Sequence, residues 1–325
     1  MPFGTSGLVV SAVGVGCSRL GGVFSKDTSR ADEIAMVRRA IDAGITVFDT
    51  SDMYSHGQSE EVLGKAVKGR RDEVVLATKG GYVWPATSRL LASVKPLARP
   101  VVRYLRLRRR GGRSPGPPPL VPQDFRPEHL VVALESSLRR LGTDHVDIFQ
   151  LHSPPASVVA AGDFVDALDG LKAAGKVRAY GLAADSVDDV LDFHRHSGVT
   201  SLQVPFSAID QAARSTLLPV ATATGAGVIS RSCFAAGLLV GDRPEAELRE
   251  ATPNWSAIIE FRRIAAFLGR PRKELALQFN IGTEGIAVTV VGMRSQAQLD
   301  EILRLVSRPP LTLDERTELL ALANS

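Results

Sequence analysis

Short apolar runs alternate with longer amphipathic stretches along most of this chain. The runs begin near residues 13, 45, 74, 146, 177, 201, 227 and 287. Between them lie windows with apolar residues at helical spacing, such as Ile34, Val37, Ala40 and Ile41 in 30–43, or Leu130, Leu134, Leu138 and Leu141 in 127–141. Further helices read at 59–67, 163–174, 186–197, 215–224, 272–281 and 295–306. A continuous apolar run of strand length suits a strand buried on both faces, and the amphipathic windows are the helices that cover it. Eight such units predict an α/β chain folded as a (β/α)8 barrel rather than an open sheet. Residues 3–12, with Gly4 and Gly7 among alternating apolar positions, predict a hairpin closing the barrel bottom. Residues 312–323 predict a closing C-terminal helix.

Two places interrupt the rhythm. Residues 232–271 carry an extra helix around 255–268, within the seventh unit. Residues 82–125 form a long insertion after the third strand, helical in spacing over 90–110 and then too rich in Pro and Gly (GGRSPGPPPLVPQ) for regular structure. The insertion leaves from the face that carries Lys79. A lid or substrate-pocket wall is therefore expected, with a solvated basic loop as the alternative. Its charge changes how the whole chain is read. Nine basic residues and no acid lie between 85 and 123, so nine positive charges taken from the net +4 leave −5 elsewhere. The basic pI belongs to the insertion, which makes nucleic acid an unexpected partner for the barrel.

The 325 residues are expected to form one barrel domain. No apolar run approaches the roughly 20 residues of a membrane span, and MPFGTSGLVV lacks the features of a signal peptide. With only Cys17 and Cys233, far apart, the chain reads as cytoplasmic with two free thiols and no membrane partner. The six histidines form no HxxxH pattern, and no metal site is expected. Gly14-x-Gly16 has Arg19 in place of a third glycine and no following helix, which rejects a Rossmann fingerprint. No GxSxG elbow is present.

Candidate chemistry gathers at strand ends. The run Ile45–Phe48 ends in Asp49, 74–78 ends in Lys79, and 146–151 ends in His152. Tyr54 follows Asp49 on a polar loop, after which Ser59 is expected to open a helix. In a parallel barrel all four groups converge on the C-terminal face. Singly, each has a structural explanation: a satisfied buried acid, a pocket wall, a snorkelling lysine, a core histidine.

Together, in the segments FDTSDMY, SEEVLGKAV, ATKGG and DIFQLHSP, they closely resemble the aldo-keto reductases. The likeness extends from FGTSGLVVSAVGVGC to VVGMRSQAQLDEI. The resemblance implies an Asp49–Tyr54–Lys79–His152 tetrad and NADPH as cofactor. The substrate would be a small carbonyl or sugar-like molecule. Tyr54 would be the general acid or base, its pKa lowered by Lys79, with Asp49 orienting the lysine and His152 bonding the carbonyl. It further implies that Arg294 and Ser295 hold a 2′-phosphate, Gln298 and Glu301 the adenine, and the loop with Gly237 and Leu239 the pyrophosphate. Gln203 would bind the carboxamide. Ala183 and Ala184 replace the usual Ser-Asn, Arg231 replaces the usual stacking aromatic, and Ile302 an Asn. Those departures support an alternative: the same barrel as a non-redox proton-transfer enzyme or a nucleotide-sensing protein.

Overall fold

A computed structural model of the chain describes residues 1–22, 28–83, 121–197 and 199–324. Most of the insertion lies outside these residues, and with it the expected lid.

Eight strands form a closed barrel: β1 (Val13–Gly16), β2 (Val47–Asp49), β3 (Val75–Gly80), β4 (Val146–His152), β5 (Val177–Ala183), β6 (Ser201–Pro205), β7 (Gly227–Arg231) and β8 (Val288–Gly292). Every pairing is parallel, and β1 closes on β8. Parallel strands need crossovers, and helices supply them. Arg30–Asp42, Gln58–Val67, Pro127–Leu141, Val165–Ala173, Val187–Ser197, Leu217–Thr224, Arg272–Ile281 and Gln296–Val306 ring the barrel.

Alternation along each strand sorts its side chains. On β3, Leu76 points outward into the strand–helix core, while Val75 and Ala77 join the barrel interior. Lys79 continues the interior row. The interior cluster is apolar toward the strand starts, with Val47, Val75, Ile148, Ala179, Val288 and Val290 among its members. Toward the strand ends it becomes polar, with buried Asp49, Lys79, Gln150, Ser201 and Gln203. Phe3, Leu8 and Val10 belong to the apolar cluster, so the N-terminal hairpin plugs the bottom. It is held by a Pro2–Val9 bridge, and the fully buried Phe3 ring occupies the space a side chain on Gly227 would need.

The expected boundaries shift at five points. Ile45 is not in β2; its N–H bonds to Ala40 O at 3.0 Å, still in the turn that ends the preceding helix. The expected 163–174 helix is preceded by a separate turn, Ala156–Ala161, and 215–224 divides into Ala212–Ser215 and Leu217–Thr224. The extra helix Trp255–Phe267 has a shorter companion, Glu245–Ala251. Ser59 does not open the helix after β2. The helix starts at Gln58, capped by Gly57 with φ +83°, and Ser59 Oγ donates instead to Cys17 O at 2.8 Å. Leu313–Leu320 closes the chain, started by a Thr312–Glu315 capping box.

Phe3→Ala is expected to cost about 3–5 kcal/mol by opening a cavity under the barrel. Urea denaturation measures this. An unchanged midpoint would mean that the hairpin contributes nothing to closure.

Candidate active site

Strand register assembles the site. Asp49 lies opposite Ala77, Lys79 opposite Gln150, His152 opposite Ala183, Ala183 opposite Gln203, and Pro205 opposite Arg231. These positions therefore share one rim, at the C-terminal ends of the strands.

Lys79 sits at its centre and is 1% exposed. Its ammonium donates to Asp49 Oδ1 at 2.5 Å and to Thr50 O at 3.0 Å. Gln203 Nε2 donates to the same Asp49 oxygen at 3.1 Å. The Lys79 nitrogen is 5.2 Å from the centre of the Tyr54 ring. Burial works against its charge, but Asp49, by charge and hydrogen bonding, and Tyr54 outweigh it, so Lys79 stays protonated.

Tyr54 differs from the sequence expectation. Its pKa is raised, not lowered. Burial of the phenol dominates, Lys79 opposes it, and Asp49 offsets part of the lysine's help. A charge next to a residue is visible in a motif; the loss of water around it is not.

His152 stands edge-on to Tyr54, ring centres 5.9 Å apart, and edge-on to Tyr82 at 5.0 Å. Its Nδ1 lies 3.2 Å from Ser51 Oγ. Burial, then the charges of Lys79 and Arg231, hold its pKa down at about 3, so the ring is neutral at working pH. Gln123 Nε2 donates to His152 O at 3.2 Å and Ser153 O at 3.0 Å. Asp52 lies on the same loop as Tyr54. Burial first, then the Glu60 carboxylate, push its pKa up to about 7.

A groove of about 440 Å³ runs from Asp49 and Tyr54 past Arg231 and Gly237 to Gln298 and Glu301. The loop after β7 forms one wall. Ser232, Ala235, Ala236 and Gly237 all have positive φ there, at 64°, 47°, 53° and 92°. Such strain costs of order 1–3 kcal/mol at each non-glycine residue and collects at functional sites. Left-handed turns of this kind can also turn backbone N–H groups into an anion cradle. Of the expected cofactor residues, Arg231, Gly237, Gln298 and Glu301 line this groove, and Gln203, Leu239, Arg294 and Ser295 do not. Leu239 is fully buried and its N–H bonds to Phe234 O, so it packs behind the wall.

At the far end, Ser295 caps the helix Gln296–Val306, accepting from Gln298 N. Gln298 Oε1 accepts from Arg294 N at 3.0 Å, and Glu301 pairs with Lys273 at 2.6 Å. The Arg294 guanidinium has no hydrogen bond or ion pair among the described residues. Arg231 is not free: it donates to Ala184 O at 3.0 Å and pairs with Asp185. Its guanidinium thus occupies the rim beside Ala183 and Ala184.

Sequence reading missed Ser51, Asp52, Tyr82 and Gln123 around His152, and Arg19 and Lys273 in the groove. The only signal for the first two was their place in FDTSDMY. Lys273 and Arg19 gave none beyond their charge.

A family model described as Aldo/keto reductase family matches residues 12–324. The chain is 30% identical over 337 residues to L-galactose dehydrogenase of Arabidopsis thaliana, covering 97% of this chain and 90% of that protein. It is 30% identical over 246 residues to the NADH-specific methylglyoxal reductase of Escherichia coli, covering 74% and 69%. The fold is similar to a holo-form aldo-keto reductase of Bacillus halodurans, with TM-score 0.75, 27% identity, and coverage of 99% of this chain and 95% of that one. Among the described residues, no helix is long and apolar enough to cross a membrane.

His152 gives a pH test. The unfolded imidazole takes up a proton near 6.5, the folded one only near 3. Between those values the unfolded state holds the extra proton, so stability falls as pH falls. His152→Asn is expected to lose less stability than wild type between pH 7 and 5, read from urea midpoints. Equal losses would mean that the folded ring protonates normally.

Proposed function

The chain belongs to the aldo/keto reductase family, and on that premise we propose that it reduces a small aldehyde, ketone or sugar-like carbonyl with NADPH. Tyr54 is the proton donor in this reading. The observation that carries it is the continuous groove that runs from Asp49 and Tyr54, beside Lys79 and His152 on the rim, to Gln298 and Glu301.

The residues present fit an extended nicotinamide dinucleotide. Arg19 and Lys273 line the groove and supply the positive charge a dinucleotide's phosphates need, Lys273 while paired with Glu301. The left-handed turns up to Gly237 add backbone donors. Arg294, with a guanidinium unpaired among the described residues, and the Ser295 helix start suit a 2′-phosphate. Gln298 and Glu301 face the adenine end. Gln203, already fixed by Asp49, is the amide left to orient the carboxamide, since Ala183 and Ala184 offer no polar side chain.

When bound, the nicotinamide supplies a hydride to the carbonyl carbon. The protein supplies the proton. A phenol with a raised pKa stays protonated at neutral pH, ready to donate as the oxygen gains charge. Lys79 then stabilises the phenolate left behind, and Asp49 holds Lys79 in place. His152, neutral, positions the carbonyl oxygen. These features favour reduction over alcohol oxidation, which needs Tyr54 to start as a base.

Tyr54→Phe is expected to lower kcat by about 10²–10⁴-fold while NADPH still binds, measured by NADPH consumption on an aldehyde and sugar panel and by fluorescence titration. Wild-type turnover in Tyr54→Phe would remove the mechanism. Binding with no turnover by the wild type on any carbonyl would favour the non-redox alternative, for which Ala183, Ala184 and the tethered Arg231 are the structural grounds.

Arg294→Ala is expected to weaken NADPH about tenfold or more, the scale of one charge-assisted phosphate contact, with little change for NADH. One relative is NADH-specific by name, so equal weakening of both cofactors would overturn the NADPH assignment.

A further inference from the structure

The loop after β2 places two polar groups in a row with His152 of β4. Asp52 Oδ1 is 3.0 Å from Ser51 Oγ, and Ser51 Oγ is 3.2 Å from His152 Nδ1. Ser51 is fully buried. Its oxygen also accepts from Met53 N at 3.1 Å, which fixes the hydroxyl between the carboxyl and the ring. A hydroxyl has one proton to give. It can donate to the carboxylate or to the imidazole, not to both.

We propose that Asp52, acting through the Ser51 hydroxyl, sets which nitrogen of His152 carries the proton, and so whether the ring gives or accepts a hydrogen bond at the substrate oxygen. Asp52 and Ser51 are then positioning residues. The inference rests on the reading above that His152 faces the carbonyl.

The proton count decides the two states. With Asp52 protonated, its O–H donates to Ser51, Ser51 donates to Nδ1, and the ring proton sits on Nε2, where it can bond the carbonyl oxygen. With Asp52 ionised, Ser51 donates to the carboxylate and accepts from Nδ1–H, and Nε2 is bare. One proton leaves the protein between the two states. It exits at Nε2, while the row behind shifts by one place, and no bond to carbon changes. A donor at the carbonyl assists reduction; a bare nitrogen there does not.

The surroundings put this exchange in the working range. Asp52 titrates at about 7, raised by burial and by Glu60. Glu60 lies on the helix Gln58–Val67 and pairs with Arg140 of Pro127–Leu141 at 2.6 Å, so the two charges largely cancel. Tyr82, at the root of the insertion, faces Asp52, and Lys79 of β3 and Arg231 of β7 face His152. Tyr54 stands across from the ring. The imidazole stays neutral throughout, so the change is one of tautomer and not of charge.

The test is 15N NMR of the full chain with labelled histidine, the His152 signals being assigned by their loss in His152→Asn. In wild type the protonated and bare nitrogen signals of His152 are expected to exchange places between pH 5 and pH 9. Asp52→Asn, whose amide does not titrate, is expected to hold a single His152 tautomer throughout. Ser51→Ala is expected to uncouple the ring from pH. In wild type, carbonyl reduction should fall about tenfold across the same range, and Asp52→Asn should flatten that profile. A single wild-type tautomer from pH 5 to 9 would overturn the proposal, as would an exchange that survives in Asp52→Asn, which would assign it to a group other than Asp52. A tautomer exchange lost in Asp52→Asn, in a protein that reduces no carbonyl, would leave the relay standing and remove the reductase reading. Normal reduction with no exchange would do the reverse.

Discussion

A lysine ammonium in a barrel interior must be neutralised by its neighbours or give up its charge. Lys79 keeps its charge because Asp49 reaches it from the next strand and the Thr50 carbonyl takes a second proton. Removing one partner from such a buried pair costs about 3–5 kcal/mol, since the other is left without compensation. The pair also fixes geometry. Asp49 holds Gln203 from across the barrel, so an acid, a cation and an amide from three strands form one unit. Tyr54 and His152 are arranged around that unit, and the phenol's balance between burial and nearby charge depends on it.

The interior below explains why the pair can exist. Alternation on eight strands sends one residue in two inward, and the lower layers are aliphatic and dry. Polar residues begin only where the strands end and loops can supply partners. Strain follows the same gradient. Among the described residues, Ser55, His56, Ser153, Ser232, Ala235 and Ala236 are the non-glycine residues with positive φ, and all lie on loops after strand C-termini. A rigid lower barrel can sustain such conformations above it.

The barrel and the tetrad were legible in the sequence because both rest on local signals. Apolar runs of strand length identify strands, and a polar residue at the end of such a run marks a rim position. That Leu239 packs behind the groove wall was not legible, because a loop's sequence does not tell which residue turns inward. Ser59 was misread because its hydroxyl serves a neighbouring loop, Cys17 O, and not its own helix. The direction of the Tyr54 shift was hidden for a deeper reason: desolvation is a property of the closed barrel, and no segment carries it. Tyr82 and Gln123 were invisible because they reach His152 from the two ends of an insertion whose middle says nothing about its roots.

Those roots have their own consequence. Tyr82 and Gln123 pair as an antiparallel bridge, Val83 N bonds to Pro122 O and Asp124 N to Gly81 O, each at 2.8 Å. The chain thus departs and returns through one clamp, beside the histidine. Whatever lies between is a cassette. Each doubling of its length costs only about 0.6 kcal/mol in closure entropy, and the catalytic rim does not register the change. In descent from a common ancestor, the stretch between these roots is therefore free to change in length and composition while the roots themselves stay still.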